Sequence, residues 1–524
     1  MTDRIAAAVP TFLTALVVLA AWQTLASLTQ GLFVFAGPAE VLRAIIAEAP
    51  LLVGSAAITL KSAAIGFVLG NAAAVVLATI ALAMPRIERL VSGVALVFFC
   101  LPFVATGPIL RVIYGVGDGP QVVLAALATY YTTYLCLLVG LRSMPASWLD
   151  LVRSYGRGRV SEIMHVRAMA SLPYFTAGLQ IGAPAAFLGA MVGEFTGAER
   201  GLGVLSIRAM RGLDVDMTWA IAALAATISA LAFWLFGWLG RRLGAGPPPL
   251  LLSPGRQDLP RSKAASLARS LGTFALLTVI ILALWLGLMN VLNLSPFFAK
   301  RPQDVFAFLF TDPPASANRA VLTDAFWQTL SLTLPGYLVG LGLGAGLAIL
   351  LVLRPRLAAG TLPIAIALRS VPIVTTAPLL VLALGRGAVG TIVIVAVMIF
   401  FPTLAACLEG MRRTPQPVLD LFASYATSPW QRLIHAQIPA MLPAFFASAR
   451  MAVPAAFLSA TTAEWLATGT GIGSLMALTA STSNYAMLWS AIVLLALAAS
   501  LLYAAVHWLE RRILKTFASE QLAL

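Results

Sequence analysis

Charge is scarce in this chain. Asp, Glu, Lys and Arg make up 10% of its 524 residues, against about 25% in a soluble globular domain. Lysine is rarer still. Lys61, Lys263, Lys300 and Lys515 are its four lysines, and none sits in the Gly-x4-Gly-Lys-Ser/Thr setting whose backbone cradles phosphates, so no ATP-hydrolysing loop of that kind is present. The three cysteines, Cys100, Cys136 and Cys407, stand alone in apolar runs without paired spacing, which leaves neither a disulfide framework nor a thiolate metal site and makes them packing residues. No grouping of nucleophile, base and orienting residue suggests membrane enzymology. Neither a metal nor a cofactor is expected on the chain itself.

Apolar residues take the place of charge: 60% of the chain is hydrophobic and its mean hydropathy is +0.93. That composition belongs to an all-α integral membrane protein. A spanning helix takes about 20 apolar residues, and the chain offers stretches centred near residues 20, 70, 100, 130, 185 and 230, then 280, 340, 370, 400, 455 and 497. About twelve spans are expected. The first follows Met1-Thr-Asp-Arg4 and has no small-residue cleavage site, so it reads as a retained helix rather than a signal peptide.

The two series of spans are copies. Shifted by 270 positions, the chain matches itself without a gap from Thr59 and Thr329 to the Arg241-Arg242 and Arg511-Arg512 pairs, and between Arg142 and Gly203 22 of 62 residues are identical. The identities include Asp150/Asp420, Tyr155/Tyr425, His165/His435, Glu194/Glu464 and Gly203/Gly473. Chance similarity in Ala/Leu-rich sequence would scatter over many shifts, so the chain is a tandem duplication.

Charge sets the expected orientation, because Lys and Arg are retained on the cytoplasmic side. With both termini inside, most basic residues fall on that side, including the cluster from Arg142 to Arg167 and the run from Arg241 to Arg269. The net charge of +14 then reflects topology and contact with anionic lipid, and no nucleic-acid partner is expected. The halves, 1–243 and 270–524, join through 244–269, a Pro- and Arg-containing segment that reads as a cytoplasmic linker. A linker that starts and ends inside makes each half cross an even number of times, so the two six-helix repeats are parallel. The longest external segments are Thr29 to Gly54 and Asn293 to Asp324.

Several duplicated features lie inside spans. Gly66 and Gly70 recur as Gly336 and Gly340, a spacing that lets helix backbones approach closely. Pro102 and Pro108 recur as Pro372 and Pro378 around Thr106 and Thr376. Two prolines in one span bend or interrupt it, which membranes tolerate where the freed carbonyls face protein or a watery cavity. Thr106, Pro108, Thr375, Thr376 and Pro378 are therefore candidates for a translocation path, alongside the alternative of a structural kink.

Between the fourth and fifth spans of each half lies a loop, about 145–170 and about 415–440, that reads as a short amphipathic helix, a turn and a second short helix. Ser147 and Asp150 have capping-box spacing and Gly156 supplies a stop; in the second copy Ser428 can cap a helix that starts with Pro429, with Gln431 reaching back. A charged helical pair repeated at equal spacing looks like a docking element for a partner that comes in two copies.

These loops resemble the EAA motif of binding-protein-dependent ABC importer permeases. Asp150-Leu151-Val152 with Gly156 and Val166 fits the first copy, and Asp420-Leu421-Phe422 with Ala426, Ile438 and Pro439 the second. Asp stands for Glu in both copies, Ala426 for Gly in the second, and Met169 for the late Pro in the first. Leu368 to Pro372 with Pro378-Leu-Leu, Gly385 and Gly387, and Glu194 and Glu464 with their Gly201-Leu-Gly203 and Gly471-Ile-Gly473 sequels, are similar to the nitrate, sulfonate and taurine branch. The resemblance implies the type I ABC importer permease fold with two permease units in one chain, in a bacterial inner membrane. It implies two ATPase subunits, which hold ATP and Mg and seat on the loops, and an extracytoplasmic solute-binding protein that delivers a small solute. The coupling residues so implied are Asp150, Tyr155, Gly156, His165, Asp420, Tyr425, Ala426 and His435. A secondary transporter with two parallel six-span halves and a fused iron-importer permease are the alternatives to the sulfonate-type reading.

Charges within a bilayer need a partner or a role. Arg369, whose counterpart is Phe99, either helps pass an anionic substrate or forms an ion pair fixing two helices, with Glu464 as its candidate partner. Glu194 and Glu464 lie near the outer end of the fifth span, as a gate or a loop-holding hydrogen bond. Arg450, opposite Gln180 in the repeat, reads as structural or as lying near the cytoplasmic end of that span. His165 and His435 read as ATPase contacts or loop packing, and unpaired His507 carries no argument.

Overall fold

A computed structural model describes residues 19–28 except 21 and 25, 35–243 except 116, 145, 159, 160 and 196, 263–354, 380, 384, 385 and 387–517. The first half contains α1 (Pro38–Ala47), α2 (Ala49–Ala83), α3 (Glu88–Phe99), α4 (Phe103–Tyr114), α5 (Gly119–Arg142), α6 (Ala146–Ser154), α7 (Ala168–Phe195), α8 (Leu202–Arg211) and α9 (Val215–Arg242). The second contains α10 (Lys263–Val291), α11 (Pro302–Phe306), α12 (Ala315–Leu353), α13 (Ala388–Arg412), α14 (Gln416–Ser424), α15 (Pro429–Arg432), α16 (Ile438–Ala463), α17 (Gly471–Ser481) and α18 (Tyr485–Phe517). In hydrocarbon each backbone N–H must find its partner within the segment, so uninterrupted apolar runs become helices.

The 270-residue period reappears in the helix ends: α2 and α12, α5 and α13, α6 and α14, and α8 and α17 all stop at equivalent positions. Caps repeat as well. Asp214 Oδ1 accepts from Met217 N at 3.0 Å before α9, and Asn484 Oδ1 accepts from Met487 N at 3.3 Å before α18. Two prolines inside α7, Pro173 and Pro184, recur inside α16 as Pro443 and Pro454.

Among the described residues nine helices are long and apolar enough to cross a membrane. The spans expected near residues 20 and 370 lie largely outside the described residues. The span expected near residue 100 is two helices of 12 residues each, α3 and α4, separated by Cys100-Leu101-Pro102. Proline cannot donate to the preceding turn and pushes its predecessor out of helical geometry, so the run breaks there. Helix α10 begins at Lys263, within the segment read as the linker, and residues 244–262 lie outside the described residues. The segments expected outside are largely helical, holding α1 and the start of α2 in one half and α11, a π-helical turn at Ala307–Thr311 and the start of α12 in the other.

Each half is a bundle with the same contacts: α5 packs on α2 and α7, as α13 packs on α12 and α16. The repeated glycines make the first of these contacts possible. A Cβ on Gly66 would lie 2.5 Å from Val122 O and one on Gly70 2.6 Å from Ala126 O; on Gly336 and Gly340 the clashes are with Ile392 O at 2.9 Å and Ala396 O at 2.8 Å. Backbone therefore lies directly on backbone, as the glycine spacing implied.

The halves also pack on each other. Helix α10 lies along α3, with Leu277 against Gly93, and α3 and α4 reach α18. A shared apolar cluster joins Leu124, Val192 and Phe195 to Ile394 and Ala463. The rings of Phe195, at the end of α7, and Trp465, just past α16, are 6.4 Å apart. Equivalent helix ends meet, so the repeats run in the same direction.

Candidate functional site

Two hairpins stand at the common starting end of α7 and α16. In the first, α6 ends at a turn in which Gly156 adopts a φ of 69° and donates to Arg153 O at 2.9 Å. That is the glycine stop read from the sequence. The capping box at its start is not formed, because α6 begins at Ala146 and puts Ser147 inside the first turn, while Asp150 Oδ1 faces Arg153 Nη1 at 3.4 Å. In the second hairpin Ala426 holds a φ of 48°, the same left-handed position without glycine's freedom. Ser428 accepts from Gln431 N at 3.2 Å and its own N–H donates to Gln431 Oε1 at 2.9 Å, the expected capping box.

A π-helical turn follows in each copy, Glu162–Arg167 and Leu433–Gln437, and feeds straight into α7 and α16. His165 and His435 turn their Nδ1 back to the carbonyls of Ser161 at 3.2 Å and Gln431 at 2.9 Å. Both hairpins expose large apolar and aromatic side chains: Tyr155 and Tyr425 are 78% and 76% exposed, and Trp148, Leu151, Leu421 and Trp430 are exposed beside them. Such surface on a hairpin that also carries charge suits an interaction site.

About 39 Å along α7, taking 1.5 Å per residue, Glu194 is buried. Its Oε1 accepts from Thr59 Oγ1 at 2.7 Å and its Oε2 from Gly203 N at 2.6 Å, while Thr59 Oγ1 accepts from Leu202 N at 2.9 Å. In the second half Glu464 Oε2 accepts from Thr329 Oγ1 at 2.9 Å and Gly473 N at 2.8 Å, and Thr329 Oγ1 accepts from Ile472 N at 2.8 Å. Each carboxylate thus caps the first turn of α8 or α17 from another helix, where unpaired N–H groups and the helix dipole favour an anion. The glycines are required because a Cβ on Gly201 or Gly471 would overlap the carboxylate. Glu194 and Glu464 therefore hold the loop between the fifth span and the short helix. Their threonine partners were not singled out from the sequence, where they stand as duplicated polar residues in apolar runs.

Of the path candidates, Thr106 and Pro108 lie on α4, where Thr106 N donates to Pro102 O at 3.1 Å. Arg369, Thr375, Thr376 and Pro378 lie outside the described residues. Arg450 is structural in a way sequence reasoning missed: its Nε lies 3.2 Å from Glu510 Oε2 and its Nη1 3.2 Å from His507 Nδ1, all within the bundle. His507, which carried no argument in the sequence, also lies 3.0 Å from Glu510 Oε2. The repeat positions in the first half are Gln180, Gly237 and Gly240, so this cluster belongs to the second half alone. All three cysteines are buried and free.

Parallel halves, a span broken at their shared interface and duplicated hairpins at one end define a fused, two-unit solute permease. Residues 66–245 and 336–515, again offset by 270, match the family of the binding-protein-dependent transport system inner membrane component, and the chain belongs to that family. It is 32% identical over 241 residues to a probable ABC transporter permease protein of Haemophilus influenzae, covering 45% of this chain and 94% of that protein. Over 250 residues it is 25% identical to the taurine transport system permease protein TauC of Escherichia coli, covering 47% and 88% of the two chains. Over 145 residues it is 27% identical to the formylaminopyrimidine transport permease protein ThiX of Halalkalibacterium halodurans, covering 28% and 58%. No solved structure matches the chain.

Proposed function

We propose that this chain alone forms both permease units of an ATP-driven importer, with its hairpins in the cytoplasm, each seated on one of two ATPase subunits that bind ATP and Mg. The observation that carries this reading is the pair of exposed hairpins at one end of parallel halves, each continuous with a helix that runs to a buried clamp at the other end. Closing of the ATPase subunits on ATP draws the hairpins together. Helices α7 and α16 carry that motion as levers, and the clamps on α8 and α17 move with them to open the path outward, where a binding protein delivers the solute. Hydrolysis resets the cycle. Both termini and the linker then lie in the cytoplasm, in contact with anionic lipid.

The solute is a small anion of the sulfonate, nitrate or taurine type, supported by the taurine permease among the relatives and by Arg369, three residues before Pro372 in the sequence. The formylaminopyrimidine permease favours a second reading, a pyrimidine precursor. The family match favours ATP over an ion gradient as the energy source. Purification tests the coupling: the chain is expected to bring down an ATPase, and deletion of 147–158 or 417–428 to abolish both attachment and uptake. Uptake into liposomes by the chain alone under an ion gradient would refute the reading. An uptake panel of taurine, nitrate and formylaminopyrimidine separates the solutes, and unchanged uptake of the anion by Arg369→Ala removes that residue from the path.

A further inference from the structure

The two hairpins are fastened to their levers by different forces. In the first, Glu162 is buried and receives two cations: Arg167, with Nη2 at 2.8 Å and Nε at 2.9 Å, and Arg153, with Nη2 at 3.4 Å. Arg167 also donates from Nη1 to Leu141 O at 2.8 Å. Helix α6, the π-helical turn and the last turn of α5 are thereby tied through one carboxylate. None of the three residues survives in the repeat, where the equivalents of Arg153, Glu162 and Arg167 are Ala423, Arg432 and Gln437. The second hairpin is held by apolar contact, with Leu433 fully buried against a cluster that includes Leu408, Met411 and Met441. Arg432 Nε there has no hydrogen-bond partner among the described residues.

We infer that Glu162 and Arg167 are positioning residues for coupling in the first half only, so that the two hairpins transmit the motor's motion through a directional ionic lattice on one side and an apolar seat on the other. Ionic lattices transmit direction because each bond has a preferred angle and a buried charge cannot drift from its partner without cost. An apolar seat resists separation but permits rotation and sliding. The inference rests on reading the hairpins as ATPase contacts, and its first measurement does not.

Nitroxide labels at Ser143→Cys and Ser154→Cys, on the full chain with its native cysteines replaced, report the spread of distances between α5 and α6. Glu162→Gln and Arg167→Gln are expected to broaden that distribution, and Arg167→Lys, which keeps the charge but loses the forked geometry, to give an intermediate width. Labels at Arg412→Cys and Ser424→Cys report the second hairpin and are expected to be indifferent to Arg432→Gln and Gln437→Ala. In the complex with its ATPase, Glu162→Gln is expected to cut the stimulation of ATP hydrolysis by the binding protein about tenfold, the effect of about 1.4 kcal/mol of lost coupling, while the repeat-side changes preserve it. An unbroadened distribution in Glu162→Gln, or equal losses from changes on both sides, overturns the inference. If the parent chain binds no ATPase, the coupling reading fails and the distance measurement still decides the lattice.

Discussion

A buried carboxylate in a membrane protein is expensive unless each oxygen is bonded, and Thr59 lowers that expense for Glu194 by donating to it while accepting from Leu202 N. Thr59→Val keeps the volume and strands both partners, which costs about 1–3 kcal/mol for each unsatisfied group. A lowered thermal midpoint of the purified chain is expected. Thr329→Val should lower it by less, because Glu464 Oε2 also accepts from Gly473 N and only Ile472 N is stranded, Glu464 Oε1 being without a hydrogen-bond partner among the described residues from the start; a drop as large as that of Thr59→Val would show that the hydroxyl rather than Gly473 holds the carboxylate. The glutamates and their Gly-x-Gly sequels were legible as isolated, duplicated polar and glycine positions. The threonines were not singled out, because a hydroxyl in an apolar helix ordinarily bonds the carbonyl one turn back, and only the folded chain shows Thr59 reaching a residue 135 positions away.

At the scale of elements, helix pairing is decided by which glycines face a neighbour. In α12, Gly340 and Gly344 press on α13, with Ala396 O and Phe400 O 2.8 and 2.7 Å from an added Cβ, whereas Gly342 and Gly346 meet nothing within 4 Å. Gly340→Leu is expected to separate α12 from α13 and abolish monodisperse purification, while Gly342→Leu on the same helix leaves the elution profile unchanged. Equal effects from both would show that the glycines matter for helix flexibility rather than for approach. Spacing alone identified the contact face at Gly336 and Gly340, since positions four apart share a side of a helix. The break at Cys100-Leu101-Pro102 was legible from its proline. The π-helical turns that join hairpin to lever were not, because an extra residue within a helical turn leaves no mark in hydrophobic periodicity.

Taken whole, the molecule is a pseudo-symmetric pair whose halves have diverged at particular buried positions. The cluster of Arg450, His507 and Glu510 has polar-neutral and glycine counterparts, and its charges are nearly sealed from solvent, with Arg450 and Glu510 side chains 10% and 5% exposed. Arg450→Gln removes the guanidinium from Glu510, leaving it His507 alone, and is expected to cost up to about 3–5 kcal/mol, the range for breaking a buried pair. Arg450→Gln combined with Glu510→Gln should recover most of that loss in a thermal unfolding series; failure to recover would place Arg450 in some other contact. The sequence by itself determined the membrane class, the duplication, the parallel arrangement of the halves and the position of both hairpins, because each of these is written in composition, in a fixed offset or in local capping signals. Only the tertiary structure decided which polar residues meet inside the bundle and which fastening each hairpin uses, since those depend on side chains brought together from distant helices, and no periodicity along one strand of sequence encodes a meeting between two.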